Sequence, residues 1–268
     1  MKVLSPAKIN LMLRILGQRQ DGYHLLQTYF QILDWGDYME FDFINENSIK
    51  ISGSFHNLEQ KDNLIYKAAQ LLKAHKRIKH GIHINVEKNI PQGSGLGGGS
   101  SNAGTALRIL NDLWQCGLTH LQLQELALQL GADVPVFVLN QSAMALGIGE
   151  DLTPYSIKPY YFVLIFPATG ISTADVFNDK RLVKNQNQIH ISKIDNKNQW
   201  QNSCLPVVLN NYPIVADIFE QASKTTKTYM SGTGSTLFCC FDTEPKAIQF
   251  MHACPKQWQL VLTKSKLI

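Results

Sequence analysis

No two of the five cysteines sit at C-x-x-C spacing. Cys116, Cys204, Cys239, Cys240 and Cys254 are odd in number and irregular in separation. That argues against a disulfide framework and a cysteine-built zinc site, and makes a reducing cytoplasm the expected location. Long apolar runs are also missing, so no bilayer-spanning helix is expected. Lys8, Asn10 and Arg14 interrupt the first apolar stretch, so no signal peptide is expected either. There is little excess charge of either sign: 25 Lys and Arg stand against 21 Asp and Glu, a net +4. That balance suits an anionic small ligand and falls short of what marks a nucleic-acid binder. No internal repeat of fixed period is present. With 44% hydrophobic and 17% charged residues over 268 positions, the chain has the composition of a globular protein with one large domain or two modest ones.

Glycine, by contrast, is concentrated. The stretch "IPQGSGLGGGSSN", residues 90–102, holds five glycines and three serines in thirteen positions. Upstream, Ile82, Ile84 and Val86 alternate as in a strand; downstream, Ala103, Ala106, Leu107, Leu110 and Leu113 recur at helical spacing up to Gly117. The glycines therefore join a strand to a helix, with Ser100, Ser101 and Asn102 placed where an N-cap belongs. A helix start offers unpaired N–H groups, and glycines let a phosphate approach them. A flexible linker is the alternative. Two familiar phosphate loops are disfavoured. No Gly-Lys-Ser/Thr closes a Walker A box. The Gly93-x-Gly95-x-x-Gly98 match to the dinucleotide fingerprint lacks the tight turn and the acid on a second strand.

Around this loop the pattern reads as mixed α and β. "AKINLMLRIL" alternates, with Lys8 and Asn10 on the face opposite Ile9 and Leu11. A turn at "GQRQDG" leads to a partner strand, "YHLLQTYFQILDW", followed by short strands at "YMEFDF" and "IKISGSF". "DNLIYKAAQLLKAHK" predicts a helix, and Thr119 with Gln122 forms a capping box before another. "AMALGIGEDLTPY" reads as turns, and the domains are divided there, into residues 1–152 and 153–268. The second part offers strands at "YYFVLIFP" and "QLVLTK", helices at Thr173–Phe177, "NYPIVADIFEQAS" and "KAIQFMHACP", and a loop into a strand at "YMSGTGSTLFCCF". That order predicts an α+β fold with antiparallel strands. The segment 180–201 is polar and reads as a solvated loop with short helical pieces.

With these pieces in order, the chain resembles the GHMP kinases. "PQGSGLGGGSSNA" is similar to that family's phosphate loop, and "PAKINLMLRILGQRQDGYHLLQT", "GADVPVF", "ISTADVF" and "MSGTGS" follow in the family's order across nearly the whole chain. The resemblance is closest to the branch acting on a cytidine diphosphate-linked methylerythritol. It implies a two-domain fold: an N-terminal ATP-binding domain like ribosomal protein S5 domain 2, and a C-terminal ferredoxin-like α/β sandwich. It also implies ATP as co-substrate with Mg²⁺, a small-molecule substrate, no nucleic-acid or membrane partner, and a monomer or homodimer.

The resemblance changes how several residues read. Lys8 and Asn10 alone would be the wet face of a surface strand; the family puts such a Lys beside the reacting hydroxyl, with Asn10 at the substrate. Asp133 alone is an N-cap carboxylate; by resemblance it contacts substrate and is the general base. Tyr23 and His24 alone are a hairpin aromatic and a surface histidine. The resemblance makes them the pair that stacks on cytosine and bonds its edge, with Phe177 over the other face and Thr173 nearby. Lys88, Pro91, Gly93, Ser94, Gly95, Leu96, Gly97, Gly98, Gly99, Ser100 and Ser101 fall at the ATP phosphates by the same argument, Lys88 being equally readable as a surface lysine. Ser100 or Ser101 is the candidate for Mg²⁺. Gly232, Thr233 and Gly234 form a second group of N–H donors on the substrate side. After "VPVF" the family commonly has a basic or Gly-rich turn, whereas here Val138-Leu139-Asn140-Gln141 follows. Three other readings stay open: a GHMP kinase for another small alcohol, a dinucleotide-dependent oxidoreductase and a basic RNA-binding module.

Overall fold

Two strands of unusual length organise the N-terminal half. β1 spans Lys2–Gln18 and β2 spans His24–Ile44, joined by the turn around Asp21-Gly22. The computed structural model describes residues 1–55 and 59–267. By contact the chain divides into two units. The first comprises Met1–Ala7, Trp35–Pro91 and Gly97–Gln141; the second comprises Lys8–Asp34, Gln92–Leu96 and Ser142–Ile268. β1 and β2 thus run through both.

The sequence pattern divides β2 after Trp35, where Gly36 suggests a break, but the strand continues through it. The reason is a close backbone approach. A Cβ on Gly36 would lie 2.8 Å from Pro6 Cα and would collide with Ser5 O. Glycine in a strand often marks such a site instead of an end.

In the first unit, β3 (Ile49–Gly53) is followed by α1 (Leu64–Lys76), β4 (Gly81–Glu87), α2 (Gly98–Leu113), α3 (His120–Leu128) and α4 (Val134–Leu139). β3 pairs with β4 in parallel, and β4 pairs antiparallel with the second half of β2, Tyr38 opposite Glu87. Ile82, Ile84 and Val86 on β4 meet Ala68, Ala69 and Leu72 of α1 and Ala103, Ala106, Leu107 and Leu110 of α2 in one core. Each valine, leucine and isoleucine buried there contributes about 1.5–3 kcal/mol. Asn63 caps α1 and the Thr119–Gln122 capping box starts α3, both as the sequence predicts.

In the second unit, the "AMALGIGEDLTPY" stretch is more ordered than its turn residues suggest. β5 (Ala143–Leu146) and β6 (Asp151–Pro154) form a hairpin, and β5 pairs with the first half of β2. Then come β7 (Tyr161–Phe166), α5 (Thr173–Asn178), α6 (Leu205–Asn211), α7 (Pro213–Ser223), β8 (Thr228–Met230), β9 (Leu237–Phe241), α8 (Glu244–Ala253) and β10 (Gln259–Lys264). The four strands form an antiparallel sheet in the order β10-β7-β9-β8. The architecture is α+β, as expected; α6 is the helix the pattern did not suggest. Val163 and Ile165 face Val176, Val207, Val208, Val215, Ala247 and Phe250 of the helices. On the alternate positions of β7 and β9, Phe162 meets Phe238 edge-on, with ring centroids 6.0 Å apart.

The polar segment 180–201 carries two short 3₁₀ turns and is fastened to β1 and β2 by amide side chains. Gln27 both donates to Ile189 O and accepts from Ile189 N. Gln186 accepts from Ile15 N through its side chain, while its backbone N–H donates to Ile15 O.

Candidate active site

Gly93, Gly95 and Gly97 all take left-handed φ values, 67°, 76° and 73°, so the loop from β4 to α2 is one that only glycine follows without strain. Helix α2 opens at Gly97, which caps it with no side-chain bond. This corrects the expectation that Ser100, Ser101 and Asn102 form the cap. The helix starts earlier, because a left-handed glycine already turns the chain, and Ser101 and Asn102 fall inside its buried face. Ser101 Oγ donates to Pro6 O at 2.6 Å and lies 2.8 Å from Ser5 Oγ. Asn102 Nδ2 donates to Ser5 Oγ and to Asp37, each at 2.9 Å. Gly99 is exposed and Ser100 half-buried. The first-turn N–H groups of α2 have no acceptor within the helix and no capping side chain, a site suited to phosphate oxygens.

The middle of the loop belongs to the second unit. Lys8 N donates to Leu96 O at 3.1 Å and Thr236 N to Ser94 O at 3.2 Å. Lys8 Nζ donates to Gly95 O at 3.0 Å and to Asn10 Oδ1 at 2.7 Å, and Ser231 Oγ donates to Gly95 O at 2.9 Å. Lys8 and Asn10 are each 3% exposed, which removes the solvent-facing reading of that strand face. Gly232 is drawn into the same group: a Cβ there would stand 3.2 Å from Asn10 Oδ1 and 3.7 Å from Lys8 Nζ. Thr233 Oγ1 lies 3.0 Å from Thr173 Oγ1, tying the Gly232–Gly234 turn to the start of α5.

Two residues that support this group went unnoticed in the sequence. Asn202 Nδ2 donates to Met230 O and Gly232 O, at 2.9 and 2.7 Å, and so shapes the turn. Thr28 Oγ1 accepts from Asn10 Nδ2 at 2.8 Å and donates to Met12 O. Asn202 lies outside every motif, and Thr28 closes the "PAKINLMLRILGQRQDGYHLLQT" motif with nothing to mark it as a partner of Asn10.

His24 stacks on Phe177, with centroids 5.1 Å apart and planes at 20°. The buried Nε2 of His24 has no hydrogen-bond partner among the described residues. Burial, with Lys184 second, pushes its pKa below the ordinary imidazole value. Tyr23 is 60% exposed in the preceding turn. One face of Phe177 is thus covered by His24.

In the first unit, Asp133 stands at the N-terminus of α4, half-buried, and its side chain makes no capping bond. That corrects the plain N-cap reading. The helix is started instead by Pro135 in its first turn. Asn140 ends it in the left-handed conformation, φ 56°, which asparagine tolerates, so the departure after "VPVF" still makes a tight stop. Lys88, far from being a loose surface lysine, pairs with the buried carboxylate of Asp37.

A loop of left-handed glycines running into a helix start with no capping side chain is the architecture of a phosphate-binding class of protein. Residues 63–141 match the model of the GHMP kinases N terminal domain, and residues 181–260 that of the GHMP kinases C terminal domain. The chain belongs to the GHMP kinases. A relative from Psychromonas ingrahamii, 43% identical over 98% of this chain and 92% of its own, is named 4-diphosphocytidyl-2-C-methyl-D-erythritol kinase. One from Nitrosococcus oceani has the same name, at 39% identity over 97% of this chain and 92% of its own. A solved 4-(cytidine 5'-diphospho)-2C-methyl-D-erythritol kinase superposes with a TM-score of 0.86 at 28% identity, covering 100% of both chains.

Proposed function

We propose that the chain phosphorylates the 2-hydroxyl of 4-diphosphocytidyl-2-C-methyl-D-erythritol with ATP, giving the 2-phosphate and ADP. This is a step of the non-mevalonate (methylerythritol phosphate) route to isopentenyl diphosphate. The observation that carries the reading is likeness over nearly the full length to kinases of that name, at 39–43% identity. We also propose a functional division at residues 152/153, between the two matched segments, and a cytoplasmic location, which five free thiols favour.

The residues divide the work as follows. Asp133 takes the proton from the attacking hydroxyl. Lys8 offsets negative charge developing at the transferred group, its ammonium held in place by Asn10 and Gly95. The loop from Pro91 to Ser100 holds the ATP phosphates through backbone N–H groups, while Gly232, Thr233 and Gly234 with Thr173 and Asn10 hold the alcohol side. Mg²⁺ bound with ATP would neutralise phosphate charge. Ser100 is the better-placed hydroxyl for it, since Ser101 donates its own to Pro6. Tyr23 stacks on cytosine, His24 Nε2 meets its edge, and Phe177 presents the face His24 leaves uncovered. Base–aromatic stacking is worth about 1–3 kcal/mol per contact, and such remote binding can position the reacting end.

ADP release with Mg·ATP and the cytidyl substrate tests this, run beside Asp133→Asn with an unchanged thermal midpoint. A positioned base contributes about 10²–10⁴-fold, so kcat in the variant is expected to fall at least about 100-fold. CMP is expected to compete with the alcohol. Turnover of another alcohol without CMP inhibition would replace this substrate, and unchanged turnover in the variant would remove Asp133 as base.

A further inference from the structure

Asp37 lies on β2, outside every motif of the sequence, with a fully buried side chain. Four donors converge on it. Oδ1 accepts from Asn89 N at 2.7 Å and Ile90 N at 2.8 Å. Oδ2 accepts from Lys88 Nζ and from Asn102 Nδ2. The ring closes on itself, because Lys88 Nζ also donates to Asn102 Oδ1 at 3.0 Å. Asn89 and Ile90 are the entrance of the glycine loop; Asn102 lies in the first turns of α2, whose start is the loop's exit. One carboxylate therefore grips both ends of the segment between them.

A buried ion pair is weak evidence of stabilisation, since apolar packing of the same volume often does as well. What apolar packing cannot do is fix two backbone N–H groups and a helix side chain at one point. The intervening loop is rich in glycine, which loses more freedom on ordering than any other residue. Fixing its ends in advance lowers what ATP must order. Lys88 reaches under the same place: a Cβ on Gly98, in the first turn of α2, would stand 3.5 Å from Lys88 Nζ.

We propose that Asp37 is the positioning residue of the phosphate loop, and that Lys88 acts on ATP through Asp37 and Asn102. The inference rests on the reading of residues 91–101 as the ATP site.

Asp37→Asn keeps the shape and an oxygen for Asn89 and Ile90, but sets an amide NH₂ against the Lys88 ammonium. Calorimetric titration with ATP, without alcohol, gives Kd; steady-state assays give KM for each substrate. Displacements of about 1 Å can cost about 100-fold. The expected result is a rise of at least about tenfold in both Kd and KM for ATP, with KM for the alcohol unchanged. A variant with lower kcat per mole and both KM values unchanged has merely lost folded protein, and overturns the proposal. Should Asp37→Asn fail to fold, Asn102→Ala, which leaves the Lys88–Asp37 pair, is expected to raise Kd in the same direction by less. An unchanged Kd there overturns the proposal too. A parent that binds no ATP overturns the loop reading and this inference together; a parent that binds beside an unaltered variant overturns this inference alone.

Discussion

Lys8 carries its charge into the protein on a strand where Ile9, Leu11 and Met12 are also buried, so both faces of β1 are covered. Alternation of polar and apolar residues cannot distinguish a wet face from a buried polar one. Asp37 has no motif and no periodicity to announce it, because its four donors come from residues 51 to 65 positions away in the chain. His24 lies between these cases, flagged by the motif but with its stacking on Phe177 set by the fold. Its burial has a measurable consequence. The folded protein holds His24 below the ordinary value of 6.5, so the unfolded chain binds its proton first as pH falls. The stability this group supports is present above pH 6.5 and is lost as pH falls below it. His24→Gln is therefore expected to lose less of its thermal midpoint than the parent between pH 7.5 and pH 5.5. Equal losses in scanning calorimetry would mean that the proton reaches His24 as easily in the folded state.

Among elements, α1, α3, α7 and α8 follow from caps, apolar spacing and prolines, and the antiparallel second sheet from its β-branched and aromatic runs. Where the sequence misleads, glycine is the cause: Gly36 looks like a strand end and is a crossing, and Gly97 opens α2 ahead of the serines. A third glycine ties the fold to the site. A Cβ on Gly104 of α2 would stand 2.7 Å from Phe137 Cβ and 3.1 Å from Val134 O, both on α4. Helix α4 carries Asp133 at its N-terminus, so its seat on α2 sets where the carboxylate stands. Gly104→Ala raises helix propensity yet forces the two helices apart. Overpacking of this kind costs about 1–3 kcal/mol, and we expect a lower thermal midpoint accompanied by a fall in kcat. If the midpoint falls while kcat per folded molecule is unchanged, the helix pair has repacked without moving Asp133.

Over the whole molecule, composition indicated a globular protein without disulfides, and the five cysteines are free. The path of residues 180–201 was not legible, because Gln27 and Gln186 recognise backbone far along the chain and such bonds leave no periodic trace. Nor could composition say how deep the thiols lie. Burial pushes Cys204, Cys239 and Cys240 from 9.0 up to about 12, and raises the phenols of Tyr29 and Tyr229 above 10.0. An unfolded chain releases these thiol protons near pH 9, whereas the folded protein keeps them to about 12. Between those limits the unfolded state binds fewer protons, so stability falls as pH rises. The thiol contribution is intact below pH 9, and the phenols add to the loss above 10. Thermal midpoints measured from pH 8 to 10.5 are expected to be level at first and then to drop steeply. Cys204→Ala removes one of the three thiols from a fully buried position. Its midpoint is expected to start lower, because of the cavity, and to fall less steeply above pH 9. Parallel slopes would mean that Cys204 ionises in the folded protein as it does in the unfolded chain, which its burial forbids unless that helical layer opens to water before the protein unfolds.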